Sequence, residues 1–190
     1  MRNTKDKIID VAIKYIKAGQ NLETISLQTI ANEAEIGKST VYEYFTSKEA
    51  LIEDAYLSLI KEYHHKLMDN IISDTFEESF KKQIKVIIEV MNEAKSIMQA
   101  ILHKHHQIIN ANIRAEIDLI SSKINEQYHN ILKLGVKEKV INSKYEENNN
   151  KYIIKALMTG LGMQYVANET ELNEDQIIIL IYDSVIKHLR

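Results

Sequence analysis

Two Glu-x-x-His pairs are the residues in this chain whose spacing could support metal chemistry. Glu62 and His65 form one pair, and Glu126 and His129 form the other. On a helix this spacing puts a carboxylate and an imidazole one turn apart, as in di-iron carboxylate bundles. The segment 103–106, His-Lys-His-His, offers further imidazoles that suit a transition metal. Two such pairs are unremarkable at this Glu and His content, so we predict no metal site and keep a metal-dependent bundle enzyme as an alternative.

Other catalytic chemistry has little support in the sequence. The chain has no cysteine, which excludes disulfide scaffolds, thiolate zinc fingers, iron–sulfur clusters and cysteine nucleophiles. It contains no nucleophile elbow, P-loop or dinucleotide-binding fingerprint. We therefore predict a protein that is not an enzyme and that needs no cofactor.

The composition favours helices. Of 190 residues, 45% are hydrophobic and 27% charged, with no proline and five glycines, whereas strand-rich folds need frequent turn residues. No run of about 18 uncharged apolar residues occurs, which predicts that nothing spans a membrane. The N-terminus runs into an amphipathic pattern rather than an apolar signal region, so we expect a cytoplasmic protein.

Helical periodicity and capping residues divide the chain into about nine helices and predict an all-α fold. Three come early: one from Asn3 or Thr4 to near Gly19, a short one after Ser26, and a short one from Lys38 to about Phe45. A long helix follows from Lys48. Longer helices fill the rest, together with a shorter one near 97–102, and the stretch 135–150 is the most loop-like part. The other ranges are 76–91, about 108–132, 152–168 and 174–188.

The two short helices have the outline of a helix-turn-helix. Their apolar residues would line the inside of the corner, while the second helix presents polar residues where a recognition helix meets the major groove. The pattern alone fits a generic αα-hairpin equally well. The inside residues are Ile30, Ala31, Ala34, Ile36 and Val41.

The residue identities favour the helix-turn-helix. Residues 30–51, IANEAEIGKSTVYEYFTSKEAL, resemble the signature of the TetR family of bacterial transcriptional regulators, which runs roughly I-A-x-x-A-G-V-S-x-x-T-x-Y-x-Y-F-x-S-K-E-x-L. The resemblance is specific over about residues 4–55. Three positions depart from the pattern: Asn21 and Glu35 stand where glycine is usual, and Gly37 replaces a serine. Glu35 puts a Cβ into a tight turn and a negative charge near DNA.

The resemblance implies a DNA-binding domain over residues 1–47 and double-stranded DNA as a partner. Residues 1–48 carry seven basic side chains against six acidic ones, so each subunit should make few phosphate contacts and a dimer should double them. We interpret Tyr44 and Phe45 as core residues of this module. The residues expected to contact DNA are Ser26, Gln28, Lys38, Ser39, Thr40, Tyr42 and Lys48.

Residues 48–190 would then bind an effector and form a homodimer. The resemblance implies a ligand-responsive regulator, in our interpretation a repressor that binds a palindromic operator and is released by a small amphipathic organic effector, with a metal-sensing regulator as the alternative. The expected pocket residues are Tyr56, Tyr63, Met91, Met98, His103, His106, Ile113, Ile117 and Tyr128. The expected dimer interface, in the last two helices, consists of Leu157, Gly160, Leu161, Ile177, Leu180, Ile181 and Val185.

Overall fold

The computed structural model of the chain describes residues 3–68, 71–95, 97, 110–142, 144 and 150–190. These residues form eight α-helices and contain no strand, which confirms the all-α prediction. The ninth helix, predicted near 97–102, lies almost entirely outside the described residues. None of the described helices is long and apolar enough to cross a membrane. The helices are α1 (Thr4–Lys17), α2 (Leu27–Glu33), α3 (Lys38–Tyr44), α4 (Lys48–Leu67), α5 (Phe76–Glu93), α6 (Ala111–Lys137), α7 (Asn150–Val166) and α8 (Glu174–Leu189).

Helix α1 forms the inner wall of the N-terminal module. Its side chains Ile8, Ala12 and Ile16 recur at helical spacing and are buried, and α1 packs against both α2 and α3. Asn3 caps the helix, since its side-chain oxygen accepts a hydrogen bond from the Asp6 N–H at 2.8 Å. The buried residues contributed by α2, α3 and the segments beside them are Leu22, Leu27, Ile30, Ala31, Ala34, Val41 and Phe45.

Four helices end in the same hydrogen-bonded turn, the Schellman motif. The residue just beyond the C-cap takes a positive φ in each case: Gly19 at 71°, Glu35 at 58°, Lys139 at 61° and Asn168 at 59°. After α2, for example, the Ile36 N–H donates to the carbonyl of Ala31 and the Glu35 N–H donates to that of Asn32. Glycine and asparagine accept this backbone conformation readily, whereas Glu35 and Lys139 hold it with a Cβ.

The chain divides into two compact units, residues 1–64 with 93–119 and residues 65–92 with 120–190. The core of the second unit is aromatic where α5, α6 and α8 meet. The Phe80 ring lies 5.6 Å from Phe76, 6.1 Å from Tyr128 and 6.0 Å from Tyr182, measured between centroids. These distances lie in the range that aromatic pairs prefer.

Helix α8 closes this core and begins with a capping box. The Asn173 side chain accepts from the Gln176 N–H, and the Gln176 side chain accepts from the Asn173 N–H, both at 3.0 Å. Seven side chains of α8 are buried on two adjoining faces: Ile177, Ile178, Ile181, Tyr182, Val185, Ile186 and Leu189.

Candidate nucleic-acid interface and cavity

Helix α3 is held from one side and open on the other. Val41 is buried, and Phe45, at the C-cap of α3, is buried beneath the Lys5 ammonium, which lies 5.4 Å from the ring centroid. Tyr42 and Tyr44 are 54% and 44% exposed. Phe45 is therefore a core residue as predicted, whereas Tyr44 belongs to the open surface. The other exposed or half-exposed side chains of α3 are Lys38, Ser39, Thr40 and Glu43.

The turn between α2 and α3 sets the start of the open helix. Gly37 caps α3 in an extended backbone conformation without a side-chain hydrogen bond, and its carbonyl accepts from the Thr40 N–H at 3.0 Å. A Cβ at Gly37 would make ordinary contact with the Ser39 and Thr40 side chains, so serine, the residue usual in the family pattern, would fit there. The N–H groups of the first turn and the Lys38 side chain are both donors that suit a phosphate oxygen.

Three predicted DNA contacts lie at the edges of this surface and already have partners within the chain. Ser26 caps α2 by accepting from the Thr29 N–H at 3.0 Å, and Gln28 donates to the Asn32 side chain at 2.8 Å. The Lys48 ammonium donates to the backbone carbonyl of Glu23 at 2.6 Å. Lys48 thus links the start of α4 to the loop before α2. This bond uses one of the three N–H donors of the ammonium group.

Several charges of the module neutralise one another. Lys5 pairs with Asp54 at 2.7 Å, and Lys17 pairs with Glu62 at 2.8 Å. Glu33 accepts from the Tyr15 hydroxyl and from Lys14, and these two donors hold the pKa of Glu33 below its usual value. Because Lys5, Lys14 and Lys17 pair with carboxylates, residues 1–48 have fewer unpaired basic side chains than the sequence count suggests.

The second compact unit contains a cavity of about 580 Å³ lined by α5, α6 and α7. The described residues that line it are partly apolar and partly polar or basic, and none of them is a carboxylate. Burial strongly raises the pKa of Tyr128, whose hydroxyl contacts the Met158 sulfur. The apolar lining residues are Ile87, Ile124, Tyr128, Leu132, Ile154 and Met158, and the polar ones are Ser121, Asn125, His129, Lys151, Lys155 and Thr159.

Comparison with known proteins agrees with the geometry of the N-terminal module. The family described as bacterial regulatory proteins, tetR family, matches residues 8–55, from the first buried residue of α1 into α4. Over residues 8–55 the chain therefore matches the TetR family. The earlier resemblance, drawn from residues 30–51, is thereby confirmed.

Two curated relatives come from Bacillus subtilis (strain 168). YuxN, named as an uncharacterized HTH-type transcriptional regulator, is 32% identical over 103 residues, which cover 52% of this chain and 34% of YuxN. YerO, named in the same way, is 25% identical over 135 residues, which cover 70% of this chain and 46% of YerO. The chain thus spans about a third of one relative and less than half of the other.

Solved structures share the fold over nearly the whole chain. A tetR-family transcriptional regulator from Streptomyces coelicolor has a TM-score of 0.71 at 12% identity, with 100% of this chain and 90% of that chain covered. The transcriptional regulator FadR from Bacillus subtilis, solved in complex with stearoyl-CoA, has a TM-score of 0.60 at 18% identity, with 97% and 96% covered. At these identities the likeness concerns the fold.

Of the predicted pocket residues, Tyr128 lines the cavity. Tyr56, Tyr63 and Ile113 are buried in the first unit, where the Tyr63 hydroxyl donates to the Glu93 carbonyl at 3.0 Å and burial raises the pKa of Tyr63 to about 12. The other predicted residues lie elsewhere: Ile117 is half-buried in the first unit, Met91 packs beside Gly162, and Met98, His103 and His106 lie outside the described residues.

Sequence reasoning missed most of the cavity wall. Lys151 and Lys155 are four residues apart on α7, interleaved with Ile154 and Met158. That alternation of cations and apolar residues on one side of a helix is the signal that could have identified it.

Helices α7 and α8 expose several large apolar side chains among their polar ones. Among the described residues nothing lies within 4 Å of where a Cβ on Gly160 would be, whereas a Cβ on Gly162 would approach the Met91 sulfur to 3.3 Å. The predicted interface residues divide accordingly: Leu157, Gly160, Leu161 and Leu180 reach the surface, while Ile177, Ile181 and Val185 are buried in the chain's own core and do not face a partner. The exposed apolar side chains are Tyr152, Ile153, Met163, Ile179 and Leu180.

The Glu-x-x-His residues weighed as metal ligands form no cluster in the part of the chain that the structure describes. Glu62 pairs with Lys17 and Glu126 pairs with Lys123, so both Glu-x-x-His carboxylates are engaged by lysines. The described residues hold no group of three or more side chains that could bind a metal. Segment 103–106 lies outside them.

Proposed function

We propose that this chain is a DNA-binding transcriptional regulator that acts as a homodimeric repressor and is released from a palindromic operator by a small amphipathic organic effector. The observation that carries the proposal is the open face of α3. Its buried side anchors the helix to α1, and its other side presents a lysine, hydroxyls and two tyrosines, which are groups that bind phosphates and base edges.

The family match supports DNA binding by the N-terminal module, and the geometry supports α3 as the recognition helix. Lys38 stands at the start of α3, where it can reach a phosphate or the O6 and N7 atoms of guanine. Thr40 offers a hydroxyl and a methyl group suited to a base edge or a thymine methyl. In a twofold dimer the two copies of α3 would enter major grooves about 34–36 Å apart, or somewhat more.

The exposed apolar face of α7 and α8 supports the homodimer. Its residues are Tyr152 and Ile153 near the start of α7, Met163 further along the same helix, and Ile179 and Leu180 on α8. Gly160 lies between the α7 positions with open space beside it, which allows a partner helix to approach closely. Pairing this face with its own copy would give an isologous twofold interface.

The cavity supports the effector. Its volume of about 580 Å³ lies within the usual range for small-molecule sites. The FadR structure from Bacillus subtilis, which shares the fold, contains stearoyl-CoA, a molecule with a long apolar chain. Helices α4 and α6 each contribute residues to both compact units, so movement of either helix could couple ligand binding to the DNA-binding module.

The test begins with duplexes selected from a random library by the wild-type protein. Lys38→Ala should weaken binding to the selected duplex at least tenfold and reduce the salt dependence of binding by about one ion per subunit. Lys133→Ala, which removes an exposed lysine of α6, is the matched control and should bind as wild type. Selection that enriches no sequence, or equal affinity of Lys38→Ala and wild type at matched salt, would contradict the proposal.

A further inference from the structure

The cavity of the second unit has a one-sided electrostatic character. Its described lining residues include Lys151, Lys155 and His129, and none of them is an aspartate or a glutamate. The two lysines are exposed and lie at the rim, whereas Ile154 and Met158, from the same helix, are buried and line its interior. A ligand that fills the space therefore has an apolar environment at one end and cations at the other.

The position of the lysines on α7 makes a bound anion favourable. They are separated by one helical turn, a spacing at which like charges destabilise a helix. Lys151 also lies in the first turn of α7, close to the positive end of the helix dipole, and that turn has no acidic residue. In the described part of the chain neither lysine has an ion-pair partner, and the Lys151 ammonium lies 5.0 Å from the centroid of the Tyr152 ring.

We infer that the effector is an amphipathic anion, with its apolar part between α5, α6 and α7 and a carboxylate or phosphate head group at Lys151 and Lys155. This inference rests on the proposed function only in taking the cavity as the effector site. Ser121 and Asn125 on α6 provide polar groups on the opposite rim that can hydrogen-bond the same head group.

The first experiment compares probes that share one ten-carbon chain and differ in head group: decanoate, decyl phosphate, decanol and decyltrimethylammonium. Binding to the full chain is measured by calorimetry without DNA. Decanoate or decyl phosphate should bind at least tenfold more tightly than decanol, and the cationic probe should bind most weakly. The ratio between the two anionic probes identifies which head group the rim prefers.

The second experiment assigns the head group to the lysines. Lys151→Gln combined with Lys155→Gln should bring the affinity for the anionic probes down to that for decanol and leave decanol unchanged. The control combines Lys133→Gln with Lys137→Gln, a pair with the same spacing on α6 that does not line the cavity, and it should retain the preference. Ile124→Phe, which fills the cavity, should weaken all four probes.

Three results would overturn the inference: decanol binding as tightly as decanoate, an unchanged anion preference in the double lysine variant, or no binding by any probe at millimolar concentration. The proposed function fails separately, because its test is duplex binding. A protein that prefers the anionic probes but binds no selected duplex contradicts the regulator and supports the cavity chemistry. A protein that binds the duplex and prefers decanol contradicts the anion alone.

Discussion

A Cβ on Gly135 would lie 2.8 Å from Cδ2 of Phe76. Helix α6 therefore crosses the start of α5 so closely that the Phe76 ring leaves no room for a side chain at position 135. Phe76 is fully buried, and its ring is tilted against the rings of Phe80 and Tyr182. The Phe76 N–H also donates to the Glu138 carboxylate at 2.9 Å, which fixes the end of α6 to the beginning of α5. This contact therefore determines how closely the two helices pack in the second unit.

Replacing Gly135 with alanine should lower the free energy of unfolding by about 1–2 kcal/mol. Displacing the Phe76 ring costs about 1–3 kcal/mol, and the better helix propensity of alanine returns up to about 1 kcal/mol. Chemical unfolding monitored by circular dichroism measures the difference. Ser122→Ala, at an exposed position of the same helix, should change stability by less than about 0.5 kcal/mol. A Gly135→Ala protein as stable as wild type would show that the contact is loose.

The role of Gly135 could not be predicted from the sequence. A glycine after a long helical pattern usually marks a helix end, and we accordingly placed it at the start of a loop. In the structure Lys139 takes the left-handed position instead and α6 continues to Lys137. Caps are local properties, so the sequence could predict that α1 begins at Asn3 or Thr4 and that α2 follows Ser26, and both starts are confirmed. Close approach depends on the partner helix, which periodicity does not specify.

Glu35 is a residue with a Cβ in a backbone conformation that favours glycine. A φ of 58° destabilises the folded state by about 1–2 kcal/mol for a residue with a Cβ. Glycine avoids this strain, but its greater conformational freedom in the unfolded chain offsets part of the gain. Glu35→Gly should therefore stabilise the protein by about 1 kcal/mol. Glu35→Gln keeps the Cβ and removes the charge, so it should leave stability unchanged. If Glu35 lies near DNA, both variants should bind duplexes more tightly than wild type in a salt-dependent way. Equal stability of the three proteins would contradict the strain argument.

The contact between Tyr15 and Glu33 predicts an acid-dependent part of the stability. The Tyr15 hydroxyl and Lys14 lower the pKa of Glu33 from its ordinary value of 4.5. A carboxyl whose pKa is lower in the folded state stabilises the fold above pH 4.5, and this contribution is lost as the pH falls through the folded pKa. Tyr15→Phe should thus be less stable than wild type at neutral pH, and the difference should shrink towards about pH 3. Unfolding titrations across this range, without DNA, measure it, with Tyr42→Phe as an exposed control. A constant difference would contradict the linkage.

Gln83 is a buried amide on α5 whose oxygen and nitrogen form no hydrogen bond with any described residue. Such a group costs about 1–3 kcal/mol, so Gln83→Met, which keeps the unbranched shape, should stabilise the protein by about 1–2 kcal/mol. Gln127→Met is the comparison, because the Gln127 amide donates to the Leu67 carbonyl at 3.1 Å and that bond would be lost. The gain should therefore be smaller at Gln127. Thermal unfolding of both variants decides the order, and destabilisation by Gln83→Met would show that the amide is satisfied.

The wall of the cavity was harder to predict than the exposed face of α3. Helix α3 is exposed on the face opposite Val41, as period and motif indicated, because its orientation follows from a short local turn. The cavity depends on how α5, α6 and α7 pack, and Tyr56 and Tyr63 have the same aromatic character as Tyr128 without facing it. Residue type alone does not distinguish a cavity wall from an ordinary core.

Substitutions at two neighbouring residues of α8 test dimerisation and folding separately. Leu180 is 39% exposed on the apolar outer face, whereas Ile181 is fully buried in the core of the second unit. A glutamate at a formed interface would bury an unpaired charge at a cost of several kcal/mol. Leu180→Glu should therefore give folded monomers that bind the selected duplex much more weakly, because each subunit then makes its few phosphate contacts alone. Ile181→Glu should unfold the second unit instead, since the same charge would enter the core. Sedimentation velocity and circular dichroism distinguish the two results. A wild-type chain that sediments as a monomer at micromolar concentration, or a Leu180→Glu chain that remains dimeric, would contradict the interface on α7 and α8.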